Sequence, residues 1–235
     1  MFSGLEAQFA QSFIENNRWV AYLKGLGISF EVTLGALCLG VILGVLVAVI
    51  RTSHDQQAPG HKNILLGILN AICKIYTTVI RGTPMMVQLL IMFMVIFRSR
   101  YAVVAAILAF GINSGAYVAE NIRAGILAVD NGQMEGGRSL GFTYGETMRY
   151  IILPQAIKNV IPALGNEMIT LVKETSIVGY VAIVDLTKAG DFIVSRTYQA
   201  FLPLIAVAII YYILVKLMTF GLAAIERRLR QSDNR

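Results

Sequence analysis

Long apolar runs are the feature of this sequence that most narrows its possible folds. Leu26–Ile50 contains a single charged residue, Glu31, and Phe201–Ala224 contains only Lys216. A helix of this length crosses the hydrocarbon core of a bilayer, which is about 30 Å thick. Tyr101–Ala119 has a similar composition. With 56% hydrophobic and 14% charged residues, the chain departs far from the soluble average, so the runs predict an all-α membrane protein.

Two less apolar segments are expected to complete about five transmembrane helices. Ile75–Phe97 is long enough to cross if it is broken at residues 81–84, where a Thr-Pro pair favours a new helix start. The alternative is an in-plane helix to about Ile80, followed by a short or tilted span. Residues 155–176 are polar for a span, and hydropathy alone would miss them. Their charged side chains are expected to face protein or water.

The distribution of lysine and arginine predicts the orientation. If the C-terminus is cytoplasmic, the inner side holds roughly twice as many of these residues as the outer side, as the positive-inside rule requires. Arg98 and Arg100, in a short outer turn, run against the rule. The prediction is a bacterial cytoplasmic-membrane protein with its N-terminus outside, whose net charge of +6 reflects topology and not nucleic-acid binding.

Three segments are expected along the chain. They are an outer interfacial segment (1–25), a single transmembrane domain (26–225) with a cytoplasmic loop at 132–154, and a basic cytoplasmic tail (226–235). Leu5, Phe9 and Phe13 recur at every fourth residue. This spacing favours an interfacial helix before the first span; a frayed tail is the alternative.

The sequence carries no catalytic or metal-binding motif. A phosphate-binding loop of the G-x-x-x-x-G-K-[ST] type does not occur. His54 and His61 lie seven residues apart with no third ligand nearby, and the two cysteines have no metal or disulfide spacing. We therefore expect no enzyme activity, metal or cofactor in this chain, and any energy for its work has to come from outside it.

A polar, glycine-punctuated island at residues 132–154 interrupts the apolar runs. Gly141 suits the position after a helix end, because glycine tolerates a left-handed backbone. Thr143 and Glu146 have the spacing of a capping box and predict a second helix, which Pro154 is expected to end. Two short helices around a corner are the prediction.

Apolar side chains at this corner have no membrane to bury them. Leu140, Phe142 and Met148 are expected to form an apolar surface that a groove in a partner receives. A plain loop packed on its own bundle is the alternative.

Five motifs, spread over nearly half of the chain, carry a family resemblance. They are Arg81-Gly82-Thr83-Pro84 followed by Val87-Gln88, Asn113-Ser114-Gly115-Ala116-Tyr117 with Glu120, Gly132-Gln133-Met134-Glu135, Leu164-Gly165-Asn166-Glu167, and Lys173-Glu174-Thr175-Ser176. Together they resemble the polar amino-acid branch of the ATP-binding-cassette importer permeases. The resemblance implies a type I (MetI-like) helical bundle with a cytoplasmic two-helix docking loop.

The same resemblance implies the partners. They are a second permease copy or a homologous permease, two cytoplasmic ATPase subunits that bind and hydrolyse ATP, and an extracytoplasmic solute-binding protein. The ATPase-docking residues would be Glu135, Leu140, Gly141, Phe142, Met148 and Pro154. The family pattern usually has two alanines after the glutamate, whereas Gly136 and Gly137 stand here. Because glycine is the poorer helix former, the first docking helix is expected to be weak until an ATPase holds it.

Polar residues within the third and fourth spans are candidates for a substrate path. They are Asn113, Ser114, Gly115, Tyr117 and Glu120 on one span, and Glu167, Thr170, Lys173 and Glu174 on the other. Glu167 suits the ammonium of an amino acid, and Glu120 or Glu174 a cationic side chain. In the alternative, Glu120 pairs with Arg123, Lys173 neutralises a glutamate, and Gly111 and Gly115 only allow close packing.

The function predicted on these grounds is the permease subunit of an ATP-driven importer of basic or neutral polar amino acids, such as arginine, histidine or glutamine. A self-sufficient secondary transporter or channel is the alternative. Secondary transporters commonly show paired repeats with broken helices, and the sequence shows none. A scaffold that only recruits ATPases would not need Glu167 and Lys173 at depth.

Overall fold

Every regular element of this protein is helical within residues 2–57 and 63–231, the parts of the chain that the computed structural model describes. The α-helices are α1 (Phe2–Phe9), α2 (Arg18–Asp55), α3 (Ile64–Arg81), α4 (Met85–Leu90), α5 (Ala102–Leu127), α6 (Asn131–Ser139), α7 (Tyr144–Thr147), α8 (Leu153–Glu174), α9 (Leu186–Thr197) and α10 (Phe201–Gln231). Wider π-helical turns occupy Ala10–Ile14, Ile91–Ile96 and Met148–Ile152, and tighter 3₁₀ turns occupy Glu15–Asn17 and Thr175–Val181. His61 and the end of the predicted tail lie outside the described residues.

Four helical stretches in the described ranges are long and apolar enough to cross a bilayer. They are Glu6–Asp55, Ile64–Arg81, Ala102–Leu127 and Phe201–Leu229. The first and fourth contain the predicted spans Leu26–Ile50 and Phe201–Ala224, and the third contains the predicted span Tyr101–Ala119 except for Tyr101, so these three are confirmed as helices. α8 covers most of the predicted fourth span but is absent from this group, because its polar and charged residues lower its hydropathy.

The helix before the predicted break begins earlier than Ile75, the predicted start of the second span, and its end at Arg81 also fits the alternative of a separate helix to about Ile80. α3 starts at Ile64 and not near Ile75, because the Asn63 side chain caps it and accepts hydrogen bonds from the amides of Leu65 and Leu66 at 2.9 and 3.3 Å. The predicted break is confirmed, since α3 ends at Arg81 and α4 begins at Met85.

The helix before the first span is present. α1 and the irregular turns that follow lead into α2 at Arg18, eight residues before the predicted start of the span. Phe9 and Phe13 stack with ring centroids 4.7 Å apart, and Phe13 in turn lies 5.7 Å from Tyr22 on α2. These aromatic contacts join the end of α1 to the first long helix, and the interfacial position of the segment stays a prediction.

The described residues fall into two compact units, and the first draws on residues 2–36, 85–110 and 168–220. Its core is a cluster of Tyr22, Leu186, Ile193 and Val207. Asp185 is fully buried and caps α9, accepting hydrogen bonds from the amides of Thr187 and Lys188. Gly25 on α2 allows this cap to come close, since a Cβ there would lie 2.6 Å from the Asp185 carbonyl oxygen.

The second unit draws on residues 37–57, 63–84, 111–167 and 221–231, and close packing between α2 and α5 organises it. A Cβ on Gly40 would lie 2.8 Å from Ser114 Oγ, and one on Gly111 would lie 2.6 Å from Leu39 Cδ2. Further along, Gly44 meets Val118. Glycine at these positions lets two membrane helices approach to backbone contact. The contacts advance together along both helices, so α2 and α5 are parallel.

This parallel arrangement fixes the number of crossings between the two helices. Two parallel spans need an odd number of crossings between them. The stretch from α3 through the short apolar helix Met85–Ile96 therefore accounts for one net crossing. With α8 counted, the helices agree with the prediction of about five spans.

Pro154 does not end the second docking helix, contrary to the prediction. The helix that starts at α7 continues through the π turn Met148–Ile152 into α8, and Pro154 lies in the first turn of α8. The amide of Leu153 bonds to the carbonyl of Met148, five residues back. This widening of the helix just before the proline accommodates a residue that lacks an N–H group.

Candidate functional site

The corner of the polar island is built by local chemistry, as predicted. Asp130 caps α6 by accepting a hydrogen bond of 2.7 Å from the Gly132 amide. At the other end Gly141 has φ +91°, its amide bonds to Arg138, and the next amide, that of Phe142, bonds to Gly137. These paired bonds define a Schellman motif with glycine in the left-handed position.

The capping box that starts α7 is confirmed. The Glu146 amide donates to Thr143 Oγ1 at 3.3 Å, and the Thr143 amide donates to the Glu146 carboxylate at 2.7 Å. Hydrogen bonds from the Thr143 amide and hydroxyl hold the pKa of the Glu146 carboxyl below its usual value. α6 and α7 are thus fixed at both sides of the corner. We call residues 131–147 the docking pair.

Two of the three apolar corner residues are exposed. Leu140 is 80% and Phe142 42% accessible. Met148 is less exposed than predicted, because it packs against a cluster of Val129, Ile152 and Ala156 next to the docking pair. The reason is its position one turn into the helix, where its side chain turns back toward the end of α5.

A cavity of about 250 Å³ lies beside the docking pair. Its lining combines two carboxylate residues, Asp130 and Glu135, with apolar side chains that include Met134, Met148 and Ile152. Glu135 is exposed, so a partner that covers the docking pair also reaches this carboxylate.

The two glycines after Glu135 have different surroundings. A Cβ on Gly137 would lie 2.6 Å from Thr147 Cγ2 and 2.9 Å from Ile151 Cδ1, whereas a Cβ on Gly136 would have no atom within 4 Å. Gly137 is therefore required for the contact between α6 and the following helix, and Gly136 is not.

The candidate residues on α5 do not form one open polar face. Asn113 and Ser114 are buried. Gly115 contacts α3, where its Cβ would lie 2.8 Å from the Tyr76 hydroxyl, and that hydroxyl donates to the Ile112 carbonyl. Gly111 and Gly115 therefore lie at close contacts between helices, as the alternative expected, and a substrate role for Gly115 stays a prediction.

Tyr117 and Glu120 lie together in a cluster of arginines that the sequence alone did not reveal. Arg51 on α2 donates to Glu120, and its guanidinium also lies 3.5 Å from Thr77 Oγ1. Arg123 Nε donates to Glu120 Oε2 at 3.3 Å, as the alternative prediction anticipated. Arg81 Nη1 lies 3.9 Å from Glu120 Oε1.

Arg81 also contacts Tyr117. The Arg81 guanidinium stacks over the tyrosine ring at 5.3 Å from its centroid. We call Arg51, Arg81, Arg123 and Glu120 the arginine cluster. The signals in the sequence were the i, i+3 spacing of Glu120 and Arg123 and the arginine of the first motif, but the contribution of α2 comes from tertiary packing.

The candidate residues on α8 follow one another along a single helix. Glu167 and Glu174 are half-buried, whereas Thr170 and Lys173 are exposed. A substrate site that combines these residues with those of α5 stays a prediction.

Groups of three or more potential metal ligands do not occur in the described ranges. His54 lies 3.4 Å from the carboxylate of Asp55 and 3.0 Å from the amide of Asn70 on α3.

Comparison with known proteins agrees with this helical membrane fold. Residues 40–231 match the family described as binding-protein-dependent transport system inner membrane component, and the chain belongs to this family. It is accordingly a multi-pass inner-membrane protein and a transport permease.

Relatives across nearly the whole chain are transport permeases as well. The chain is 37% identical to the arginine transport system permease protein of Bacillus subtilis over 90% of this chain and 93% of that protein. It is also 37% identical to a putative glutamine transport system permease protein of Rickettsia bellii, over 88% and 92% of the two chains.

Solved structures agree with the fold. An amino acid ABC transporter crystallised with histidines is 41% identical, with a TM-score of 0.80 over 88% of this chain and 94% of that chain. The MetNI methionine ABC transporter is similar in fold, with a TM-score of 0.74 at 21% identity over 92% of this chain and 99% of that chain.

Proposed function

We propose that this protein is the permease subunit of an ATP-driven importer of polar amino acids, and that separate ATPase subunits drive it through the docking pair. The observation that carries this proposal is the pair of exposed apolar side chains, Leu140 and Phe142, held on two capped helices. Burial of an exposed apolar side chain in a groove of a partner is favourable, because it removes apolar surface from water. The helix caps fix the direction of these side chains before binding, which lowers the entropy cost of association.

The substrate class follows from the relatives. Two of them are named for the transport of arginine and glutamine, and a solved relative was crystallised with histidines. All three are amino acids with polar side chains. Moving such a zwitterion through hydrocarbon is costly, so its path needs polar side chains within the spans. Glu167, Thr170, Lys173 and Glu174 on α8 are our candidates, with Asn113 and Tyr117 on α5.

The assembly that we propose contains two permease chains, two ATPase subunits on the cytoplasmic side and a solute-binding protein outside. In this orientation the N-terminus is outside, and the docking pair lies in the cytoplasm. ATP is bound and hydrolysed by the partners alone, since the sequence contains no phosphate-binding loop.

The test is association with a candidate ATPase subunit. We expect the double variant Leu140→Asp and Phe142→Asp to lose co-purification of the ATPase, because charges at these positions prevent burial in an apolar groove. Ser139→Asp is the control: it adds one negative charge at the neighbouring exposed position and removes no apolar contact. The single variant Leu140→Asp matches it in charge and should still weaken co-purification.

The comparison needs folded protein in every case, shown by unchanged helical content and a single peak in size exclusion. Retention of the ATPase by the double variant would refute the docking proposal. An equal loss in the Ser139→Asp control would show that charge alone, and not the apolar corner, causes the effect.

A further inference from the structure

The arginine cluster carries more positive charge than its own carboxylate can neutralise. Three guanidiniums, from α2, α3 and α5, converge on the single carboxylate of Glu120. These four side chains together hold an excess of two positive charges. Arg51 is the most enclosed, with 14% of its side chain accessible, and its Nη1 contacts both Glu120 and Thr77. Arg81 and Arg123 are therefore the arginines most open to a further anion.

These two arginines present open edges. The side chains of Arg81 and Arg123 are 43% and 32% accessible. A guanidinium that is held by one carboxylate oxygen keeps several N–H donors for a second acceptor. Its planar fork matches the oxygens of a phosphate, which it can bind through two parallel hydrogen bonds. The ligand that fits these edges is an anion with phosphate geometry.

An apolar face lies beside the cluster on α3. Ile68, Ile72, Ile75 and Val79 recur at helical spacing and are all exposed. Lys74 and Arg81 are seven residues apart, so they lie together on one side of the helix, about a third of a turn around from this apolar stripe. The apolar stripe and the two cations share the exposed surface of α3, which suits a molecule with both acyl chains and a phosphate.

We propose that the arginine cluster, with Lys74, binds the headgroup of an anionic phospholipid, whose acyl chains lie along the exposed face of α3. A lipid with two phosphates, such as cardiolipin, matches the excess of two charges. Basic pockets between membrane helices on the cytoplasmic side bind headgroups of this kind. A small anion would bind the same arginines but would make no contact with the apolar stripe.

The test is native mass spectrometry of the permease purified from membranes with the subunits that accompany it. Cardiolipin is titrated into the sample, and phosphatidylethanolamine with acyl chains of the same kind is titrated in parallel as the comparison lipid. We expect one tightly held cardiolipin, and a roughly tenfold or greater loss of its affinity in the double variant Arg81→Gln and Arg123→Gln. The control variant Arg227→Gln and Arg228→Gln removes the same charge from exposed positions of α10 and should keep the affinity.

A second variant makes the sign of the effect decisive. Glu120→Gln removes the carboxylate, keeps the shape of the side chain, and raises the excess charge of the cluster to three. Cardiolipin binding should therefore become tighter, whereas general damage to the fold would weaken it.

Four outcomes would overturn the proposal. They are unchanged affinity in the Arg81 and Arg123 variant, an equal loss in the α10 control, equal binding of phosphatidylethanolamine, and weaker binding in Glu120→Gln. Displacement of the lipid by millimolar inorganic phosphate would assign the cluster to a small anion instead. Binding that occurs only when the partner subunits are removed would assign these arginines to a protein interface.

Discussion

Two adjacent glycines in α6 differ in their surroundings, although the sequence treats them alike. Gly136 is open to solvent, and alanine there is expected to stabilise α6 by up to about 1 kcal/mol through its higher helix propensity. Alanine at Gly137 places a methyl group 2.6 Å from Thr147 Cγ2. Overpacking of this kind costs roughly 1–3 kcal/mol, which offsets the propensity gain. Hydrogen exchange of the α6 amides measures both variants.

Each variant serves as the control for the other, because both make the same chemical change one residue apart. We expect slower exchange in Gly136→Ala, and faster exchange of α6 and α7 in Gly137→Ala. Similar protection in the two variants would contradict the contact between α6 and Thr147.

The carboxylate of Glu167, which lies within the spans, is expected to contribute to substrate uptake. Glu167→Gln should lower the uptake of a polar amino acid in reconstituted vesicles severalfold, since the amide keeps the shape but loses the charge that attracts an ammonium group. Assembly with the ATPase should remain. Glu31→Gln removes the same charge from an exposed position of α2 and should leave uptake unchanged.

This measurement separates binding from assembly. Normal uptake by Glu167→Gln would remove the residue from the proposed path. Loss of the ATPase from this variant would assign the residue a structural role.

The start of α7 is expected to depend on pH. Its capping box lowers the pKa of the Glu146 carboxyl from an ordinary value of 4.5. A carboxyl whose pKa is lowered on folding contributes stability above its ordinary pKa and loses this contribution as pH falls through the lowered value. Amide protection in α7 should therefore be constant near neutral pH and fall only below about pH 4.5.

Two variants check the origin of this pH dependence. Glu146→Gln should remove this step in amide protection, because an amide side chain does not titrate in this range. Glu135→Gln, an exposed carboxylate of α6, should leave the step in place. A step that survives in Glu146→Gln would show that another group causes it.

The elements of the docking pair show how far sequence reasoning reaches. The left-handed Gly141 and the Thr143–Glu146 capping box were predictable, because each depends on residues within a few positions of one another. Pro154 and Met148 were not. The place of Pro154 within a continuing helix depends on a widened helical turn that accommodates the proline. The packing of Met148 depends on which side of its helix faces α5. Both are settled by packing between elements distant in sequence.

The same distinction holds for the candidate path. The spacing on α5 placed Glu120 and Arg123 together correctly, since both lie on one helix. Arg51 lies 69 residues from Glu120 in sequence, and its contact depends on the parallel packing of α2 and α5. Contacts of this kind, between helices distant in sequence, leave no pattern in a single sequence.

For the molecule as a whole, the proposed orientation predicts which surfaces face each side of the membrane. In a background with Cys38→Ala and Cys73→Ala, Ser195→Cys on α9 should react with an impermeant maleimide on intact cells. Ser139→Cys, in the docking pair, should react only after permeabilisation. Both serines are exposed, so accessibility differs only by side.

Each reporter controls for the reactivity of the other. The reverse pattern would place the docking pair outside the cell, where no ATPase could reach it, and would refute the proposed function.

The backbone contact between α2 and α5 restricts how such a molecule can change shape. Gly40 and Gly44 of α2 lie directly against Ser114 and Val118 of α5, and Gly111 of α5 lies directly against Leu39 of α2, so separating the two helices would remove these close contacts. Any rearrangement that opens or closes a route through the membrane is therefore expected to carry these two helices as one rigid body, and to take place at the other contacts of the bundle.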